Sequence, residues 1–154
     1  VNKLLFRKLI GIWPPYLGSG IRVKKINPTF TAIDVEMKLR FWNQNYVGTQ
    51  FGGSLYAMVD PFLMFILMEN LGPGYIVWDK AATIRFKKPG RGTVRAHLEI
   101  SKERIEEIRK QANENPKVEP VFQVTVLNED GSTVIAEVEK TLYVRRKDQE
   151  KRPG

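Results

Sequence analysis

The sequence predicts an α+β fold in which a curved antiparallel sheet of five to six strands wraps around one long, apolar central helix. Three observations predict it. Residues 54–71 are apolar nearly all round, broken chiefly by Asp60-Pro61. A helix with no polar stripe is buried on all sides. Most of the flanking segments alternate apolar and polar residues with the period of two that marks half-buried strands. Finally, strands and helices are segregated: a helix, two strands, the long helix, two strands, a short helix and two strands. That order favours an antiparallel sheet over repeated βαβ units.

Taken in order, residues 3–13 read as a short amphipathic helix. Leu5, Leu9 and Ile12 line one side, Lys3, Arg7 and Lys8 are polar, and Pro14-Pro15 ends it. A basic amphipathic helix can lie on a membrane, but the expected role is packing on its own domain. Ile21 to Ile26 is a strand. Residues 32–41 are a clearer one, with Ile33, Val35, Met37, Leu39 and Phe41 alternating with Asp34, Glu36, Lys38 and Arg40. Residues 43–53 form a polar, glycine-rich loop. The apolar helix follows and stops at Gly72-Pro73-Gly74. Tyr75 to Phe86 is the next strand, closed by Lys87-Lys88-Pro89-Gly90, and residues 93–100 are another. Residues 102–114 form a surface helix with a stripe of Ile105, Ile108 and Ala112, and Glu106 and Lys110 at pairing distance. Residues 118–128 and 132–145 make a hairpin around Asp130-Gly131. In its second strand Val134, Ala136, Val138, Leu142 and Val144 share a face.

These elements make one domain, 1–154, with residues 1–15 as its N-terminal helix and 146–154 as a basic, flexible tail. A chain of this length buries about 68–70% of its unfolded surface without disulfide staples. The absence of cysteine removes disulfides, zinc–thiolate sites and thiol nucleophiles, and the single histidine, His97, removes multi-histidine metal sites. Neither metal nor cofactor is expected. The net charge of +8 suits a polyanionic partner without choosing among nucleic acid, an acidic membrane and a phosphorylated small ligand. No nucleic-acid motif is present, and the aromatic residues sit within apolar strands, so nucleic acid is not the expected partner. No signal-peptide pattern is read, and the stretch from Leu55 to Met68 falls short of the ~20 apolar residues of a membrane span. The expectation is a cytoplasmic protein.

Asp60 is the most informative residue. An ionised carboxylate inside an apolar helix is costly unless paired, and such residues mark functional sites. Asp followed by Pro is equally an N-cap before a first-turn proline, and pattern alone leaves both readings open. The loop before it adds the pattern Asn45-x-x-Gly48-x-x-Phe51-Gly52-Gly53, with Asp60 seven residues after Gly53. This resembles the signature of the phenylacetyl-CoA-thioesterase-like branch of the hotdog superfamily, in which Asn-x-x-Gly-x-x-His-Gly-Gly precedes an Asp or Glu at that distance into the central helix. The order of elements over roughly 20–145 is similar as well.

The resemblance implies a hotdog fold and an acyl-CoA thioesterase working as a homodimer or homotetramer. Coenzyme A thioester would be its substrate. Asp60 would act as general base or nucleophile. Asn45 would hold the thioester carbonyl or the attacking water. Gly53, at the helix N-terminus, would donate its N–H to the oxyanion, with Gly52 beside it. Asp60 and Asn45 would meet across the dimer interface. Helix N-termini do offer unpaired N–H groups and a positive dipole end to developing negative charge. The departure is Phe51 at the family's histidine position, which makes the pocket more apolar and favours a rival reading, a non-catalytic acyl-CoA or lipid-binding module. Asp79 falls where some relatives carry a polar residue touching the water; the expected role is an exposed strand aspartate paired with a nearby Lys or Arg. Lys87, Lys88, Arg91 and Arg95 could bind the coenzyme A phosphates or form a solvated hairpin. His97 shares the polar face of its strand with Arg95 and Glu99 and reads as a surface residue.

Overall fold

A computed structural model describes residues 2–148. The elements are α1 (Lys3–Ile12), α2 (Pro14–Ser19), β1 (Ile21–Ile26), β2 (Ala32–Met37), α3 (Gly52–Ala57), α4 (Phe62–Leu71), β3 (Tyr75–Phe86), β4 (Val94–Glu99), α5 (Lys102–Glu114), β5 (Val121–Asn128) and β6 (Val134–Arg146). All six strands form one antiparallel sheet in the order β1-β2-β4-β5-β6-β3. This is the hotdog fold: the sheet curves around the α3–α4 segment.

The alternation read from the sequence is what builds the core. Ile33, Val35 and Met37 of β2, Val94, Ala96 and Leu98 of β4, and Ala136, Val138, Leu142 and Val144 of β6 all point inward. They meet Phe62, Leu63, Ile66, Leu67 and Leu71 of α4. The Gly52–Leu71 segment is long and apolar enough to cross a membrane by composition. Its buried side chains are instead the filling of this sheet. Helix α5 buries the expected stripe of Ile105, Ile108 and Ala112. Its Arg109 donates to the carbonyls of Asn70 (2.7 Å) and Leu71 (3.1 Å), meeting acceptors that the end of α4 leaves open. Glu106 pairs with Arg109 at 3.2 Å, where Lys110 was the expected partner.

Several boundaries differ from the sequence reading. Pro14-Pro15 ends α1 but also starts α2, because proline's fixed φ and missing N–H suit a first helical turn. Strand β2 stops at Met37, four residues early. Asn43 takes over the backbone there: its Oδ1 accepts from Arg40 N (2.7 Å), and its Nδ2 donates to the carbonyls of Lys38 (2.8 Å) and Ser19 (2.8 Å). The central helix is two helices, α3 and α4, separated by a tight turn over 58–61. Strand β6 continues to Arg146, so the predicted tail begins in the sheet; Lys151-Arg152 lies outside the described residues.

Candidate functional site

The turn at 58–61 makes the site. Pro61 has no N–H to continue the helix, and the Asp60 N–H reaches back only to Ala57 O, at 3.4 Å. The Asp60 carboxylate does not cap α4, which has no side-chain cap. The reading of Asp60 as an N-cap is thereby excluded. Asp60 turns toward the sheet instead. Its Oδ1 accepts from Tyr56 Oη at 2.7 Å and from Lys140 Nζ at 2.5 Å. Both contacts fall on one oxygen. Oδ2 has no partner among the described residues, and the side chain is 43% exposed.

Lys140 is the residue that the sequence reading passed over. It stands on the inward row of β6 between Val138 and Leu142, and its side chain is 1% exposed. The ammonium also donates to Asp60 O (2.6 Å) and Tyr56 Oη (3.0 Å), and it lies 3.1 Å from Asp79 Oδ1. Burial would lower its pKa, but the bonds to Asp60 and Tyr56 and the charge of Asp79 outweigh that and hold it above the ordinary lysine value. Lys140 is therefore a fixed cation, unsuited to act as a base or nucleophile at neutral pH.

Asp79 reaches this cation because β3 is bulged. Asp79 is opposite Leu142 and Ala82 is opposite Lys140, with a register shift between Asp79 and Ala81. Without the extra residue the inward alternation would not hold both positions. Asp79 is 24% exposed rather than an open surface residue. Burial is the main cause that raises its pKa, opposed by Lys140 and assisted by Asp60. Beneath the site, the buried Tyr16 phenol donates to Ala57 O at 2.7 Å. Burial and the nearby carboxylates push its pKa far up, so it stays protonated.

The other predicted residues lie toward the start of α3. Phe51 precedes the helix and is 55% exposed. Its ring sits over Gly53, where a Cβ would be 2.8 Å from the ring edge, so a larger residue there would push the Phe51 ring aside. Gly52 is similarly close to Phe86 on the inner face of β3. The first backbone bonds of α3 come from Ser54 and Leu55 N to Phe51 O, and Gly53 N has no acceptor among the described residues. Asn45 is engaged within its own loop. It accepts from Val47 N (3.1 Å) and Thr49 N (2.9 Å) and donates to Thr49 Oγ1 (2.8 Å), closing the turn in which Gly48 has φ +78°. No hydrogen bond joins Asn45 to Asp60 within one chain.

Lys87 and Lys88 line a cavity of about 340 Å³ together with Asn45, Gly52 and Phe86. Lys88 and Arg91 also line a neighbouring cleft of about 670 Å³. Lys87 pairs with Glu137 at 3.3 Å. Arg95 instead lies against Gly131 of the hairpin. His97 sits on the outer face, 2.6 Å from Asp34 and 3.2 Å from Glu99. Its hydrogen bond to Asp34 is the main cause that raises its pKa.

No curated protein matches this chain. Solved structures do. A protein of unknown function from Pseudomonas aeruginosa, described as a probable thioesterase, superposes with a TM-score of 0.83 at 23% identity, covering 95% of this chain and 97% of its own. A thioesterase from Haemophilus influenzae gives 0.68 at 15% identity, covering 95% and 92%. A mutant thioesterase from Pseudomonas aeruginosa gives 0.67 at 11%, covering 95% and 96%. At these identities the likeness shows the shared fold. The family model described as a domain of unknown function (DUF4442) matches residues 2–144, from α1 into the last strand, and the chain belongs to that family.

Proposed function

We propose that this protein is an acyl-CoA thioesterase related to the phenylacetyl-CoA-thioesterase-like branch, with Asp60 as its general base. The observation that carries the reading is the state of that carboxylate. One oxygen is fixed by a buried ammonium and a phenol, and the other is open to a water or substrate. In this reading Asp60 takes a proton from water, the water oxygen attacks the thioester carbonyl, and the Gly53 N–H receives the oxyanion. The C–S bond then breaks and the proton passes to the leaving thiolate. Lys87, Lys88 and Arg91 would receive the coenzyme A phosphates beside Asn45 and Gly52. The Asn45 amide spends one N–H on Thr49 Oγ1 and the other weakly on Gln50 O at 3.4 Å, so holding a thioester carbonyl would cost it only the long bond. The neighbours' thioesterase names support the reaction class. A homodimer formed through the β3 edge would bring the Asn45 loop of one subunit to the Asp60 of the other.

Phe51 favours a second reading, a catalytically silent acyl-CoA-binding module, because its ring covers Gly53 and offers no polar group. A thiol-release assay over acyl-CoAs of different chain length separates the two. With Asp60→Asn, turnover should fall roughly 10²–10⁴-fold, the usual worth of general-base catalysis, while fold and acyl-CoA affinity are kept. Equal, low release by wild type and Asp60→Asn on every acyl-CoA would leave only the binding module.

A further inference from the structure

We propose that the outward face of α1 and α2 docks on an anionic lipid bilayer, an inference independent of the thioesterase reading. Helix α1 is mounted with its apolar stripe facing out. Leu5, Leu9 and Ile12, expected to pack on the domain, are 52%, 55% and 65% exposed, and Leu4 beside them is 60% exposed. What packs inward is Phe6 with Ile10, an i,i+4 pair. The Phe6 ring meets Phe30 and Phe65 edge-on at 5.6 and 5.4 Å, so the helix is held in this orientation. Trp13 at the α1–α2 joint and Leu17 on α2 extend the exposed apolar surface. The Asn43 amide ties the end of α2 to the loop that presents Phe41 and Trp42, both exposed.

The charge around this face selects the occupant. Lys3, Arg7 and Lys8 are the charged residues of α1 and α2, and neither helix carries an acidic residue, whereas the β1 cations face Asp34 and Glu36 of β2. Lys8 lies among the exposed leucines of α1, where its stem can follow the apolar surface while its ammonium reaches outward. An apolar face with tryptophan and interspersed lysines matches a surface that sinks its leucines to the acyl boundary and places its cations among lipid phosphates. A second copy of this chain fits poorly, because a twofold interface sets a patch against itself. Here that would bring like charges together as the leucines met. The face also lies by β1, at the opposite end of the sheet from β3.

The test is flotation of the full chain with vesicles of phosphatidylcholine alone or of equimolar phosphatidylcholine and phosphatidylglycerol. Wild type should bind the anionic vesicles at least about tenfold more tightly than the neutral ones, and binding should weaken steeply with salt. Leu5→Glu with Leu9→Glu should lower binding about tenfold or more while the melting temperature stays near wild type. On the unaltered backbone, a blue shift of tryptophan emission on adding anionic vesicles should shrink in Trp13→Phe. Equal recovery on both vesicle types would overturn the proposal. So would wild-type binding by the double variant, an emission shift unaffected by Trp13→Phe, or self-association of wild type that the double variant loses without any vesicle binding.

Discussion

Lys140 interrupts the inward row that otherwise runs from Ala136 to Val144, and the position of that interruption was visible in the sequence. A lysine on a row of buried residues must find a partner, because an unpaired buried charge is prohibitive. Which carboxylates it meets was not legible. Asp60 is brought by a helix break and Asp79 by a strand bulge, and neither leaves a local mark at position 140. Lys140→Met should cost about 1–3 kcal/mol at neutral pH by stranding two carboxylates, moderated by the exposure of Asp60. The pH dependence has a definite sign. The folded-state pKa of Lys140 lies above its ordinary value, so its contribution is fully present below the unfolded pKa and is lost as pH rises through the folded one. Wild type should therefore lose stability on the alkaline side above about pH 10.5. Lys140→Met should make that limb shallower in chemical denaturation followed against pH, leaving the part contributed by the buried Tyr16 phenol. An unchanged limb would place the titration elsewhere.

At the scale of elements, periodicity located every strand, and its clearest error is the end of β2, where a side chain replaced backbone pairing. Leu39 and Phe41 continue the alternation of β2, yet Asn43 takes the carbonyl of Lys38 and the N–H of Arg40 before a strand partner can. Local alternation cannot report such competition. Asn43 is almost fully buried and serves three backbone groups, so Asn43→Ala should lower the unfolding free energy by about 1–3 kcal/mol, read from the urea midpoint. A midpoint within error of wild type would mean that water serves those groups equally well. The stripe on α1 was recognised correctly as a stripe and assigned the wrong side. Periodicity defines a face and not what it faces; Phe6 and Ile10 won the inward position because the Phe30 and Phe65 rings wait there.

For the whole molecule, β3 is an edge strand of twelve residues in which Ala81, Ala82 and Thr83 are exposed. A long edge of unpaired backbone groups is a template for pairing. Helix α1 packs by the opposite edge strand, β1, where Arg7 donates to Val23 O at 3.3 Å. The asymmetry of the two edges is the physical basis for expecting dimers through β3. Light scattering at micromolar concentration should give twice the chain mass, and turnover per chain should fall on dilution below the dimer dissociation constant. A monomer that keeps its turnover would require a site complete within one subunit.

Tyr16 gives the opening twenty residues a different standing from that of an appendage. Its ring is buried against Phe62, at a centroid distance of 6.0 Å, and its hydroxyl is fastened to the last turn of α3, three residues before Asp60. The segment is a keystone: whatever tilts α2 tilts a phenol fastened to the end of α3, just before the turn that carries Asp60. A shortened protein beginning at β1 would not be the same domain without its leader, because its central helix would lose a wall and an anchoring bond together. Deleting residues 2–20 should therefore lower the urea midpoint of the rest of the domain.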